Sequence, residues 1–296
     1  MCSHSRHFIR PVTESAKTVL EVITSTTAYF SKHGIESPRL NSEHIVAHVL
    51  AKKRIELYLE FDRPLFEQQL SPLRKLIRQR AQGKPLQHLL GTVDFHGLIF
   101  ACDERALVPR PETEQLVEFV LKRPELAGKA PKLIDVGTGS GIIALTLASE
   151  MPGAEVHAVD LSAEALALAR QNAASLRLTD RVKFFQGDLL NGTQGPYDLV
   201  VANLPYIASD TLPTLSREVQ CDPRMALDGG ADGLEIISRL IVSARNQLTP
   251  GGVIALEIGH DQADALKGKL AGEKFQDIQV ESDYQGFRRF LFAKYG

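Results

Sequence analysis

A chain of 296 residues, 44% of them hydrophobic, is long enough for two domains and buries a sizeable core, which excludes a disordered protein. No apolar stretch reaches the roughly 18 residues of a membrane span, and Met1 to Arg6 lacks a secretory apolar run, so a cytoplasmic protein is expected. The net charge of −2 hides an asymmetry, +6 for residues 1–90 (14 Lys and Arg against 8 Asp and Glu) and −8 for the remainder (20 against 28), while Cys2, Cys102 and Cys221 are too scattered for a disulfide framework or a zinc site.

From Thr13 to Gln82 the pattern is helical. Val19, Leu20, Val22, Ile23 and Phe30 mark a first helix ending near Gly34, and Asn41 reads as the cap of a second that carries Ile45, Val46, Val49 and Leu50. Leu70, Leu73, Leu76 and Ile77 mark a later one, with Arg74, Lys75, Arg78 and Arg80 as its solvated side. No aromatic residues interleave with those cations as base stacking would want, so no direct nucleic acid binding is expected. After the Gly83-Lys84-Pro85 break, Leu89 to Ala101 reads as a hairpin around His96-Gly97 that joins two domains. His88 and His96 read as turn and hairpin residues, because no further ligands sit at metal spacing; no metal is expected. The expected divisions are a helical domain over 1–85, a linker hairpin over 86–107 and a second domain over 108–296.

Beyond Val108 the period changes to alternating strand and helix. Strands are expected at 132–136, 155–159, 182–186, 197–202 and 253–258, and helices near 141–150, 162–176 and 232–248. Phe275 to Val280 and Arg288 to Ala293, joined by a turn with Gly286, add an antiparallel hairpin. The fold class is therefore α/β: a mostly parallel seven-stranded sheet with helices on both faces, preceded by a small helical bundle.

The buried strand Lys132 to Val136 runs into Gly137-Thr138-Gly139-Ser140-Gly141, where glycines permit a tight turn and close approach of a ligand. Ile142 stands where a dinucleotide fingerprint needs its last glycine, and no Gly-Lys-Ser/Thr follows to make a P-loop. Asp160 ends the second strand, where a carboxylate accepts both hydrogen bonds of a ribose diol. Asp188 after the third strand stands where it could accept from an adenine amino group, with Leu189 against the ring. Either Asp could instead cap the helix or turn that follows it. This set describes a nucleoside without a diphosphate.

Asn203-Leu204-Pro205-Tyr206 follows the apolar strand from Tyr197 to Ala202. A carboxamide or exocyclic base amine has its nitrogen lone pair delocalised, so position matters more than basicity in bringing it to a methyl donor. The Asn203 side-chain oxygen and the Leu204 backbone carbonyl can accept its two N–H bonds and hold the lone pair in line. Those bonds strengthen as the nitrogen becomes positive in the transition state. Pro205 stiffens the loop and Tyr206 offers a flat face. The bland alternative is a strand-ending turn. No general base is assigned; His260 reads as a helix start after Gly259.

Together these residues resemble the HemK/PrmC family of protein-(glutamine-N5) methyltransferases, within the class I methyltransferase fold that uses S-adenosylmethionine and releases S-adenosylhomocysteine. The resemblance covers nearly the whole chain: Ile35 to Leu40, Gln79 to Gln87, Leu107-Val-Pro-Arg-Pro-Glu-Thr-Glu114, the glycine turn, Asn203 to Tyr206, and Asp222 to Leu234. It implies methylation of the glutamine amide in the Gly-Gly-Gln motif of class 1 peptide chain release factors. It also implies that Gly137 to Gly141, Asp160, Leu189 and Asn203 line the cofactor, that Asn203 to Tyr206 hold the substrate glutamine, and that Arg110, Thr113 and Glu114 buttress that loop. The helical domain would meet the body of the release factor, with the enzyme a monomer. The family usually carries Pro where this chain has Leu204, but the role given to that residue uses only its backbone carbonyl. Three alternatives stay open: a ribosomal-protein glutamine as acceptor, an adenine-N6 RNA methyltransferase, and a cofactor-binding scaffold without turnover. Asn-Leu-Pro-Tyr also typifies ribosomal RNA adenine dimethyltransferases, but those tend to be basic and carry their extra domain after the catalytic one.

Overall fold

The computed structural model describes residues 16–127 and 130–296. The expectations for Met1 to Arg6, for Cys2 and for a helical pattern beginning at Thr13 lie outside those residues. The chain divides into two compact units, one up to Leu90 and the other Gly91–Gly296.

The first unit holds helices α1 (Val19–Lys32), α2 (Pro38–Val49), α3 (Glu67–Ala81) and α4 (Leu86–Leu90). The start of α1 is fixed by a reciprocal cap: the Glu21 N–H donates to the Thr18 hydroxyl, and the Thr18 N–H donates to the Glu21 carboxylate. Val19, Val22, Ile23 and Phe30 meet Ile45, Val46, Leu57, Leu65 and Leu73 in its core, whereas Leu20, grouped with them by sequence, faces out. The helical pattern is also interrupted: β1 (Lys17–Thr18) pairs antiparallel with β2 (Pro64–Leu65), and Arg54–Leu59 is a 3-10 helix.

Three expectations are corrected by the fold of this unit. Asn41 does not cap α2. Pro38, whose missing N–H is harmless in a first turn, starts the helix earlier, and Asn41 is buried inside it, donating to the Glu36 and Ser37 carbonyls. Arg80 is not on the solvated side of α3, since it is buried and donates to Asn41 Oδ1 at 2.7 Å and to the Lys84 carbonyl. Only Arg74, Lys75 and Arg78 stay exposed. His88 lies within α4 and not in a turn.

The second unit opens with the hairpin β3 (Thr92–Phe95) and β4 (Leu98–Ala101), turned at His96-Gly97 as the sequence suggests. Helix α5 (Pro111–Leu121) follows, then β5 (Lys132–Val136), α6 (Ile142–Glu150), β6 (Glu155–Asp160), α7 (Ala163–Ser175), β7 (Val182–Gln186) and β8 (Tyr197–Asn203). Helix α8 (Glu235–Ala244), β9 (Leu248–Glu257), α9 (Ala263–Gly272), β10 (Phe275–Ser282) and β11 (Arg288–Tyr295) complete it. The seven strands lie in the order β10-β11-β9-β8-β5-β6-β7, parallel except for β11, which runs antiparallel to both its neighbours.

Helix α8 is shorter than the expected 232–248, because Gly230 (φ +93°) and Gly233 (φ +73°) hold the chain before it in left-handed turns. Strand β9 begins earlier than expected, at Leu248, with its pairing to β8 irregular ahead of Val253. Two apolar layers cover the sheet, one with Leu133, Leu145, Leu199 and Phe290, the other with Ile134, Val200, Ile241 and Ile254. Among the described residues no helix is long and apolar enough to cross a membrane.

Candidate active site

Chain order reverses beside β5. Strands β6 and β7 are laid down on one side of it, and β8 and β9 on the other. In an open parallel sheet the loops leaving neighbouring strands at such a reversal diverge and leave a crevice at the strands' carboxyl ends. The glycine turn leaves β5 there and the Asn203 tetrapeptide leaves β8. One pocket is lined by Gly137 to Ser140, Asp160, Asp188, Leu189, Asn203, Leu204, Pro205, Arg110 and Thr113. Gly141, Tyr206 and Glu114 are not in its wall.

The turn is held from beneath. The Gly137 and Thr138 N–H groups both donate to the Val159 carbonyl, and Gly137, Gly139 and Gly141 all have positive φ. Asp135 Oδ2 accepts from the Thr138 hydroxyl at 2.6 Å and from the Ala144 N–H, and burial pushes its carboxyl up to about 7. Gly141 serves packing, because a Cβ there would press on Leu145 and Ala169 at 3.0 and 3.1 Å. A Cβ at Gly137 would fall 2.7 Å from Leu204 Cδ2, so the buried Leu204 side chain lies directly on the turn. The expectation for Leu204 concerns only its backbone carbonyl; its side chain, to which the sequence assigns no task, packs the two loops together.

Asp160 acts within the turn as well as facing the pocket. Its Oδ2 accepts from the Gly139 N–H at 2.8 Å and its Oδ1 from the Ser162 N–H at 2.9 Å, while burial raises its pKa against those bonds. Ser162 itself caps α7. Asp188 pairs with Arg239, a pocket-wall residue that the sequence does not single out.

Asn203 is the end of a buried polar chain. Its Nδ2 donates to Thr113 Oγ1 at 3.0 Å, and the Thr113 hydroxyl donates to Glu257 Oε2 at 2.8 Å. Asn203 Oδ1 has no partner among the described residues. Burial drives the Glu257 carboxyl up to about 7; the Thr113 hydroxyl, Arg289 and Arg110 oppose this, and Glu112 adds to it. Arg110 reaches Asp222 Oδ2 at 2.6 Å, while Asp222 Oδ1 accepts from the Val108 N–H. Glu114 turns away from the tetrapeptide and accepts from the His96 N–H, so it steadies the β3–β4 turn. Burial, followed by nearby Glu257, pushes the Tyr206 phenol up to about 12, keeping it neutral.

Residues 227–234 brace the tetrapeptide from outside. The Ile207 N–H donates to the Leu227 carbonyl, and the Gly229 N–H to the Ile207 carbonyl. Gln262 Nε2 donates to the carbonyls of Tyr206 and Gly233. A Cβ at Gly229 would lie 2.8 Å from the Pro205 carbonyl oxygen.

This wall fits S-adenosylmethionine. Leu161, Leu189, Ile142 and Ile236 offer apolar surface for a base, and Asp160 and Asp188 offer carboxylates at the ends of β6 and β7. Arg105, Arg110 and Arg239 each already pair with a carboxylate, from Asp103, Asp222 and Asp188. Cations neutralised in this way suit a nucleoside better than a diphosphate.

Fold and site together define a class I, Rossmann-like methyltransferase. Residues 21–91 match the family described as PrmC N-terminal domain, and residues 112–227 match the methyltransferase small domain. The release factor glutamine methyltransferase of Chlorobaculum tepidum is 40% identical over 288 residues, spanning 94% of this chain and 97% of that protein. That of Rhodopirellula baltica is 39% identical over 286 residues, spanning 93% and 95%. The chain belongs to this family, the release factor glutamine methyltransferases of the HemK/PrmC type. A solved methyltransferase from Pyrococcus furiosus shares the fold, with a TM-score of 0.53 and 20% identity over 68% of this chain and 90% of that one.

Proposed function

We propose that this protein methylates the side-chain amide nitrogen of the glutamine in the Gly-Gly-Gln motif of class 1 peptide chain release factors, with S-adenosylmethionine as donor. The observation that carries the reading is the Asn203 carboxamide, its oxygen unengaged among the described residues, beside a glycine turn on which Leu204 is packed. S-adenosylmethionine, when bound, supplies a methyl group on a sulfonium, ready for direct displacement. The turn from Gly137 to Ser140, with Asp160, Asp188 and Leu189, holds the donor; Gly141 supports by packing.

Asn203 Oδ1 and the Leu204 carbonyl accept the two N–H bonds of the target amide, which aims its lone pair without needing basicity. As that nitrogen becomes positive, both bonds strengthen, so the site holds the transition state more tightly than the ground state. Pro205 limits the freedom of the loop and Tyr206 fixes its far end through Gln262. The surplus proton leaves to water after transfer. We assign recognition of the release factor's body to the helical residues of 1–85, with 86–107 as linker and 108–296 as catalytic domain, and place the reaction in the cytoplasm.

The test is methyl incorporation into purified release factor. Asn203→Ala should lower kcat by on the order of 10²-fold with donor affinity little changed by calorimetry. Equal labelling of a factor whose target glutamine has been replaced would overturn the substrate assignment.

A further inference from the structure

We propose that Glu257 is a positioning residue for methyl transfer: through the Thr113 hydroxyl it dictates which end of the Asn203 carboxamide faces the pocket. This rests on the reading of Asn203 as the clamp for the acceptor amide.

The parallel ladder sets Asn203 opposite Glu257 at the carboxyl ends of β8 and β9. Thr113, in the first turn of α5, bridges them and is 1% exposed; Glu257 is 2% exposed. Water therefore does not stand in for Thr113 or Glu257. A threonine hydroxyl has one proton, and an ionised carboxylate can only accept. The Thr113 proton is thus committed to Glu257 Oε2, at 2.8 Å, and Thr113 Oγ1 must accept from Asn203. Only the nitrogen end of the carboxamide can donate, so Nδ2 lies on Thr113 at 3.0 Å and Oδ1 is turned off it. That orientation presents an acceptor to an incoming NH2 group.

A neutral group at 257 removes the compulsion. A protonated acid or a carboxamide can donate to Thr113, whose own proton is then available to Asn203 Oδ1. The carboxamide would turn round and show its NH2 to the NH2 of the substrate, donor against donor. The charged and titratable groups around Glu257 are Arg289 on β11, Arg110 and Glu112 at the start of α5, and Tyr206 just after β8. Burial outweighs the two arginines and brings the carboxyl up to about 7, so the switch between the two arrangements falls where it can be titrated.

The experiment follows the Asn203 side-chain NH2 resonances of the full-length, nitrogen-15-labelled protein without donor or substrate, assigned by their loss in Asn203→Ala. They should shift in a single titration centred near the Glu257 value of about 7. Glu257→Gln and Thr113→Val should each abolish that titration, and Thr113→Ser, which restores the hydroxyl, should bring it back. With release factor as acceptor, Glu257→Gln should lower kcat by on the order of 10²-fold, remove the rise of kcat with pH near 7 and leave donor affinity unchanged. Glu257→Gln combined with Thr113→Val should be no worse than either alone. Resonances that ignore pH in the wild type, or that still titrate in Glu257→Gln, would overturn the proposal. Should Glu257→Gln fail to fold, a titration that persists in Thr113→Val overturns it equally. If the resonances titrate as described but Asn203→Ala keeps full activity, the positioning chain stands and the clamp reading falls.

Discussion

Gly137 and Leu204 define one another. A left-handed φ of +73° already disfavours any residue with a Cβ at 137, by about 1–2 kcal/mol. The Leu204 methyl at 2.7 Å adds a second penalty, because moving it shifts the loop that carries Asn203. Gly137→Ala should therefore lower stability in urea and raise the donor dissociation constant together. Leu204→Ala, which empties a buried site, should cost on the order of 2–5 kcal/mol. In the double variant the steric part of the Gly137→Ala penalty disappears, leaving only the backbone part. The two costs should thus sum to more than the double variant's by a measurable coupling. Strictly additive costs would mean that Leu204 is not what fills the space over the turn.

At the scale of elements, the segment from Ile207 to Leu234 shows how backbone can be placed with no α-helix or strand of its own, only short 3-10 turns at Leu212–Thr214, Val219–Cys221 and Arg224–Ala226. Gly233 sits at φ +73°, and a Cβ there would collide with the Tyr206 carbonyl that Gln262 also holds. Gly233→Ala should push Tyr206 and the rest of the tetrapeptide out of register. Methyl transfer to the release factor should fall while donor affinity, measured by calorimetry, holds; a parallel loss of both would place the brace under the donor instead. The same loop marks the limit of what sequence discloses. The five parallel strands expected from 132 to 258, the glycine turn after β5 and Asn203 at the end of β8 are legible because apolar runs, glycines and a strand-ending polar residue are local signals. Glu257 is legible only as a strand end. Its partner Thr113 lies 144 positions away, and no period or motif announces a pairing made by strand register and a helix start. Arg110 with Asp222, Arg239 with Asp188 and Arg80 with Asn41 escape for the same reason, and Arg80 is expected at the surface because a cation among cations reads that way. Glu114 lies in the right motif but on a side of α5 that reaches the hairpin.

Across the whole molecule, two buried carboxyls at the ends of neighbouring parts of the sheet make stability depend on pH. Asp135 and Glu257 have folded-state values of about 7, against 3.8 and 4.5 for the unconstrained groups. The folded protein therefore binds more protons than the unfolded chain across that interval. Stability from these groups is fully present below about 4 and is lost as pH rises through about 7, on the order of 1.4 kcal/mol for each pH unit separating a group's folded and unfolded values. Glu155 works the opposite way. Hydrogen bonds from Lys183 and His157 hold it down to about 2, so its contribution is lost as pH falls, but it is half exposed and solvent screens it. Between pH 4.5 and 7 the buried pair should dominate. Urea midpoints measured against pH should fall over that window in the wild type, and the fall should shrink in Glu257→Gln and again when Asp135→Asn is added. Above the upper value the wild-type curve should level. The slope reflects a conflict within the site, since Glu257 fixes Asn203 only when ionised, which is the state that burial opposes. A wild-type midpoint that stays constant through this window would mean that both carboxyls are already ionised, with the buried charge relieved by a contact outside those described.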